Sequence, residues 1–371
     1  MSHVVVIGCG IVGAAIAYEL SLVPRLKVSV LDRQHPGQGV TGAALGVMMG
    51  AISKKVKGRA WQLRQTSMQR YETLIPELEA LTGSKIPFNR QGILKLCFAG
   101  EKMSKWEKLA ELRESQGLPL KILNPTQVRS QYPQLGDLDT LIAAVYSPTD
   151  RQVHPVSLTQ ALVGAAQRQG VTFQFDVTVE GFETKAQNSV KSVTTVLTNR
   201  GNMTADWIVV AAGLDSTPLT AELEQPVPIN PVLGQALQLR LNRPLGHPDW
   251  QPVITGDDVH IVPDKKSQVK GLTDYWVGAT VEFPANGSPL VPDETQLNDL
   301  WQRAIAFCPD LAEATLVKKW FGLRPRPEQQ SAPVLGPLPG YDNVLLATGH
   351  YRNGVLLAPA SAIAIRDAIV V

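Results

Sequence analysis

The sequence predicts an α/β protein: a discontinuous Rossmann-like dinucleotide-binding unit joined to a second unit with a largely antiparallel β-sheet. Three observations carry that prediction. Val4-Val5-Val6-Ile7 runs into Gly8-Cys9-Gly10-Ile11-Val12-Gly13 and then an Ala-rich segment to Leu20, the order of a buried strand, a glycine turn and a helix. Two further apolar runs, Ile208 to Ala212-Gly213 and Val344 to Thr348, read as buried parallel strands although they lie far from the first. From Pro226 to Trp320 the pattern changes to alternation, over Val232 to Leu241, Val259 to Val262 and Tyr275 to Phe283, with one helix from Asp293 to Phe307.

The opening turn has a physical reading residue by residue. Gly8 permits a tight turn, Gly10 lets a pyrophosphate approach the backbone, and Gly13 lets helix and strand pack closely. The helix N-terminus then faces the phosphates. A second strand, Lys27 to Leu31, ends in Asp32, about 20 residues beyond the glycines, where a carboxylate accepts hydrogen bonds from a ribose hydroxyl. The motif by itself leaves NAD and FAD both open.

Bulk properties narrow the class. A chain of 371 residues is long enough for two domains. With 35 basic against 33 acidic residues and a formal charge of +2, nothing draws it to nucleic acid. Cys9, Cys97 and Cys308 form neither a metal-ligand cluster nor a disulfide framework, so no metal is expected and a reducing compartment fits. Val4 to Val23 is apolar but has no basic n-region and is interrupted by glycines and Glu19, so it reads as strand, turn and helix rather than as a signal peptide. The expectation is a cytoplasmic protein without membrane contact; a homo-oligomer stays open.

Along the chain, Gly37 to Gly50 is a loop of small residues directly after the ribose acid, placed to cover a cofactor. Lys54, Lys55, Lys57 and Arg59 form a short basic run, read first as a solvated surface. Ala60 to Thr82 is an amphipathic helix that kinks near Pro76 and stops at Gly83. Ile93 to Phe98 is a strand, Met103 to Gln116 a polar helix, Asn124-Pro125 a helix start, and Leu141 to Tyr146 a strand. His154-Pro155 opens a helix to Gln169, and Val171 to Val177 is a strand. Val190 to Leu197 and Met203 to Ala212 read as a ribbon, and Leu323 to Pro339, with five prolines, as an extended crossing. The turn Gly349 to Gly354 leads to a final helix from Pro359 to Ile369.

No second GxGxxG follows, which argues against separate FAD and NAD domains. The last strand and helix rejoin the first, a layout unlike the contiguous nucleotide half of simple NAD dehydrogenases, which remain the weaker alternative. Together with Asp32, Ala212-Gly213 and Gly322-Leu323-Arg324-Pro325, the run Gly349-His350-Tyr351-Arg352-Asn353-Gly354-Val355-Leu356-Leu357-Ala358-Pro359 resembles the D-amino-acid oxidase family of FAD enzymes, its glycine oxidase branch above all.

That resemblance implies an FAD-binding domain over 1–86, 148–224 and 331–371 and a substrate-binding domain over 87–147 and 225–330. It places Gly8, Gly10, Ile11, Val12, Gly13, Asp32, Arg33, Val40, Thr41, Gly42, Ala43, Leu45, Gly46 and Val47 around the adenosine, pyrophosphate and flavin edge. Val177 would meet the adenine through its backbone, Ala212 and Gly213 would end the strand beside the cofactor, and His350, Tyr351, Arg352, Asn353, Gly354, Val355 and Leu356 would line the flavin ring. A helix starting near Gly354 would point its positive end at the flavin N1–C2=O side.

Arg324 would clamp the carboxylate of a small amino acid through two parallel bonds, with Arg352 and His260 as further catalytic candidates. The activity implied is oxidative deamination of glycine, sarcosine or small D-amino acids, with dioxygen or a quinone-type carrier taking the electrons. The chain departs from the branch at His260, where a tyrosine is usual, at Val281, where a methionine follows Gly-Ala-Thr, and at Gly42, usually serine. His260 would bring a pH dependence near its ordinary pKa of ~6.5. Lone histidines such as His154 and His247 read as structural or exposed, and Tyr275, Trp276 and Tyr351 as candidate aromatic walls.

Overall fold

Continuous apolar runs become strands buried on both faces. In this computed structural model, which describes residues 1–136, 138–187, 190–264, 272–284 and 290–370, Val4, Val5 and Val6 are completely buried. Their strand, Ser2–Ile7, lies at the centre of a six-stranded sheet. Across this sheet the order is Val334–Pro337, Val344–Thr348, Trp207–Val210, Ser2–Ile7, Leu26–Leu31 and Thr172–Gln174. All neighbours run parallel except the Val334–Pro337 edge. Strands from the start, middle and end of the chain thus share one sheet.

The two faces of this sheet pack differently. Val4 and Val6 face a helical layer made by Ile11–Ser21, Gly58–Thr82, Pro155–Arg168 and Gly354–Val370. Val5, Ile7, Ile208 and Val210 face the small antiparallel sheet of Val179–Gln187, Val190–Thr198 and Met203–Thr204. The expected Met203 to Ala212 strand is therefore two strands in two sheets, because Asp206 hands the chain to the parallel sheet through its bonds with His3.

The eight-stranded sheet has the order Thr315–Pro327, Ile229–Leu241, Thr273–Gly278, Val259–Pro263, Val253–Gly256, Ile93–Phe98, Leu141–Ser147 and Lys121–Leu123. Only Val253–Gly256 and Ile93–Phe98 are parallel neighbours. Here alternation decides burial. Leu237, Leu239, Val259, Ile261 and Val277 pack against the helix Glu294–Phe307, while Ala236 and Val262 pack on the opposite side with Leu45.

Several expectations need correction. Leu323 to Pro327 does not cross between units: it completes Thr315–Pro327 against Ile229–Leu241, and an edge strand tolerates Pro325 and Pro327 because their missing N–H groups face outward. The Gly37 to Gly50 loop contains a helical turn, Val40–Ala43, and a short strand, Val47–Met48. Val177 lies beyond the short strand Thr172–Gln174, and Phe283 beyond Thr273–Gly278.

The last helix starts at Gly354, as the resemblance implies, and not at Pro359, where the residue pattern put it. Proline inside a helix removes one donor and disturbs the carbonyl four residues earlier. Both losses are made good by the helix Gly58–Thr82: Tyr71 Oη donates to Val355 O at 2.5 Å, and the Ala360 N–H donates to Ser67 Oγ at 3.2 Å. Tyr351–Val370 is the one segment among the described residues long and apolar enough to cross a bilayer; its residues from Val355 to Ala362 lie in the core.

Candidate functional site

The first turn is shaped by what its glycines exclude. Gly8 has φ +103°, and a Cβ there would sit 2.6 Å from Ala211 O; at Gly13 it would sit 1.9 Å from Gly8 O. Only glycine permits this close packing of turn, helix and neighbouring strand. The Ile11 N–H donates to Thr41 Oγ1 at 3.1 Å, so the Val40–Ala43 turn lies directly over the helix N-terminus. Asp32 accepts from the Cys9 N–H at 2.5 Å and the Gln34 N–H at 2.8 Å, which fixes the carboxylate beside the turn. A carboxylate has about four acceptor positions, so two remain for ribose hydroxyls.

Nearby, Arg33 pairs with Asp215 at 2.9 Å, in the turn Gly213–Asp215 that follows Ala212. The Val177 N–H donates to Asp32 O at 3.0 Å, which ties the segment after Thr172–Gln174 to the ribose acid.

The loop after Val40 is clamped between two strands. At Gly42 a Cβ would lie 2.0 Å from Gly37 O, and at Gly46 (φ +72°) 1.8 Å from Val153 O. Leu45 O accepts from Gln152 Nε2 at 3.1 Å, and Ala43 O from Trp320 Nε1 at 3.1 Å. Val47 pairs with Gln152. Small residues here serve tight packing, not looseness.

Two residues passed over in the sequence hold the next segment. Asp150 accepts from the N–H groups of Gly50, Ala51 and Ile52 at 2.7, 2.8 and 2.9 Å. Burial pushes its pKa up, against these three backbone bonds. Arg113 donates to Ala51 O, Ser53 O and Lys55 O at 2.8, 3.0 and 2.8 Å and stacks 3.6 Å from the Trp61 ring centroid. Its one sequence signal was its place on the Trp106, Leu109, Arg113 stripe of a helix read as polar.

Two of the three catalytic candidates, His260 and Arg324, lie on the second sheet, and Arg352 lies in the turn before the last helix. His260 and Val262 alternate with the core residues Val259 and Ile261, so both lie on the face that receives Leu45. His260 is opposite Gly278, Gly278 opposite Ala236, and Arg324 opposite Val232. Arg324 therefore shares that face, which glycines open. A Cβ at Gly234 would fall 2.1 Å from Arg324 Nη2, at Gly278 2.9 Å from Leu45 Cδ1, and at Gly322 2.5 Å from Ala43 Cβ. Arg324 lies over Gly234 and donates through Nη1 to Leu233 O at 3.1 Å.

Charge ties the group together. Burial, then the like charge of Arg352, lowers the Arg324 pKa, with Tyr351 and Glu282 opposing. His260 Nδ1 is buried without a hydrogen-bond partner among the described residues. Burial, and next Arg352, pushes the His260 pKa down to about 4, Lys95 and Arg324 adding to it and Asp258 opposing. This overturns the expected titration near the ordinary value: the imidazole is neutral at physiological pH.

The last turn closes the site. Gly349 has φ +65°, and Tyr351 has φ +53° without being glycine, a conformation that costs roughly 1–3 kcal/mol and clusters at functional sites. Thr348 Oγ1 donates to Gly213 O at 3.1 Å, tying this turn to the one after Ala212. His350 is buried, shares a 2.9 Å hydrogen bond with Ser361 Oγ, and has its pKa pushed by burial to about 4. Its side chain is thus held inside the core. Tyr275 also belongs to the core, bonding Leu245 N at 2.7 Å and Gln251 Oε1 at 2.6 Å.

These residues fit a bound dinucleotide: the glycine cradle admits a pyrophosphate at the first helix, and polar groups are left over at the other end. His260 Nδ1 is one. Arg64 Nε is another, in a side chain only 8% exposed.

Comparison with known proteins agrees. The family model described as FAD dependent oxidoreductase matches residues 3–368. The bifunctional protein ThiO/ThiG of Synechocystis sp. is 34% identical over 374 residues, covering 99% of this chain and 51% of that protein. The chain thus spans about half the length of these bifunctional relatives. Glycine oxidase of Geobacillus kaustophilus is 29% identical over 373 residues, covering 100% of this chain and 94% of that one. A crystal structure of glycine oxidase from Bacillus cereus matches with a TM-score of 0.84 at 26% identity, over 100% of this chain and 95% of that one.

Proposed function

Given that the chain belongs to the FAD dependent oxidoreductase (DAO) family, we propose that it acts on amino acids as the glycine oxidases it resembles do, oxidatively deaminating glycine, sarcosine or a small D-amino acid with dioxygen as electron acceptor. Bound FAD would supply the two-electron acceptor for loss of the Cα hydrogen with its electron pair; the substrate imine left behind would hydrolyse to a 2-oxo acid and ammonia or an amine, with dioxygen reduced to hydrogen peroxide.

The observation that carries this reading is the single sheet face shared by Arg324, His260 and the Leu45 contact of the cofactor loop. Arg324, pinned to Leu233 O and laid flat over Gly234, offers the rest of its fork to a substrate carboxylate. A second cation, Arg352, stands close enough to depress its pKa, and this positive field favours the neutral form of the substrate amine. A neutral amine needs no general base, since its lone pair drives loss of the Cα hydrogen. His260, uncharged, offers Nδ1 to substrate or water without adding charge.

The reading assigns 1–86, 148–224 and 331–371 to FAD and 87–147 and 225–330 to substrate, in a cytoplasmic enzyme. Anaerobic mixing of the purified protein with glycine, sarcosine, D-proline or D-alanine tests it: one of them bleaches the flavin, and air restores the colour with stoichiometric peroxide. A colourless protein that does not take up FAD defeats the proposal. Colour restored by a quinone and not by air converts it to a dehydrogenase.

A further inference from the structure

A charge buried without an opposite charge is expensive, and such a group signals a missing anion. Arg64, on the helix Gly58–Thr82, is that group: it is 8% exposed, and burial alone lowers its pKa, no carboxylate acting to raise it. Nη1 donates to Ala60 O at 2.8 Å, Nη2 reaches Asn353 Oδ1 at 3.4 Å, and Nε has no partner among the described residues. The nearby Arg113 is no model for it, since Arg113 has Asp150 as a charge partner and three carbonyls as acceptors.

The direction of Arg64 matters as much as its burial. Asn353 is the residue just before the helix Gly354–Val370, so the guanidinium reaches the positive end of that helix dipole. Two sources of positive potential meet there, one of them a full charge in a water-poor setting. From this geometry we infer that Arg64 and the N-terminus of the Gly354–Val370 helix together hold the negative charge that reduction leaves on the N1–C2=O side of the flavin. The inference rests on the FAD reading above. The electron account is complete: the substrate Cα–H bond breaks, hydrogen and electron pair go to flavin N5, the neutral amine becomes an iminium cation, and the flavin gains one negative charge. Arg64 touches the cofactor edge and not the substrate, which Arg324 holds.

The test uses holoenzyme and reads the flavin itself. Arg64→Met is expected to retain FAD, to lower the two-electron midpoint potential by about 30 mV or more, equivalent to a factor of ten, and to weaken sulfite addition at flavin N5 at least about tenfold. Arg64→Lys, which keeps the charge, is expected to recover most of both. A Met variant with FAD bound and wild-type potential and sulfite affinity overturns the role of Arg64 while leaving the FAD reading intact, as does a Lys variant no better than Met. Should the Met variant not fold, the spectrum of the reduced wild type decides: an anionic reduced flavin across the pH range of stability supports the inference, and a neutral one overturns it. Wild-type protein that cannot take up FAD defeats both readings.

Discussion

The two faces of the eight-stranded sheet are built from the same strands to opposite ends. One face presents Leu237, Leu239, Val259, Ile261 and Val277 to the helix Glu294–Phe307 and is closed core. The other alternates with it residue by residue and carries Gly234, Gly278 and Gly322 beside Arg324 and His260. Bulk on the first face supplies stability; missing bulk on the second makes room for the cofactor loop and the arginine. Because strand side chains alternate strictly, one strand serves both purposes without compromise.

That contrast can be broken from either side. Leu239→Ala, on the closed face, is expected to cost about 2–5 kcal/mol of unfolding free energy, measured by denaturant titration, by opening a cavity the sheet cannot collapse. Substrate affinity of the folded fraction should hardly change.

Arg324→Ala, on the open face, is expected to do the reverse. Substrate binding, read from anaerobic flavin titration, weakens by on the order of 2–5 kcal/mol while the unfolding midpoint stays close to wild type. Unaltered substrate dependence would remove the arginine from the site.

Gly234→Ala sharpens the same division. The new methyl falls 2.1 Å from Arg324 Nη2 and displaces the guanidinium, a flexible end that yields cheaply. KM should rise toward that of Arg324→Ala with a stability change within about 1 kcal/mol.

His260 and His350 extend the comparison to pH. Both have folded pKa values lowered to about 4, so the unfolded chain binds their protons first as pH falls. Stability should therefore fall as pH drops from the ordinary histidine value of ~6.5 toward 4, by at most about 1.4 kcal/mol per pH unit for each group, and level off below. His260→Gln should flatten this slope in pH-dependent unfolding, and no activity break near 6.5 should trace to His260.

The smallest expected change is at the surface. Arg33 and Asp215 are 58% and 40% exposed, and Arg33→Ala should shift stability by less than about 1 kcal/mol, an effect that salt erases.

Much of the site was legible because its signals are local. A strand, three glycines, a helix and an acid following in order identify the first turn before any contact is known. The last turn was legible through its resemblance to a family, which implies a helix from near Gly354, although the residue pattern alone put its start five residues late: Pro359 reads as a start when Tyr71 and Ser67, which repair the helix around it, are out of view.

What stayed hidden depends on pairings between distant residues. Asp150 organises Gly50 across 100 positions, and Arg64 meets Asn353 across 289. In sequence Asp150 is one acid among many, and Arg64 one polar position on an amphipathic helix. Gly234 and Gly278, inside segments read simply as strands, carried no site signal until register set them beside Arg324 and Leu45.

From its residues alone the chain specified an α/β fold with a dinucleotide turn, because periodicity and glycine geometry act over a few residues at a time. The burial of His260 Nδ1 and of Arg64 and the sharing of one sheet face by His260 and Arg324 came from folding. They are properties of desolvation and strand register, which exist only when segments far apart in sequence are packed against each other.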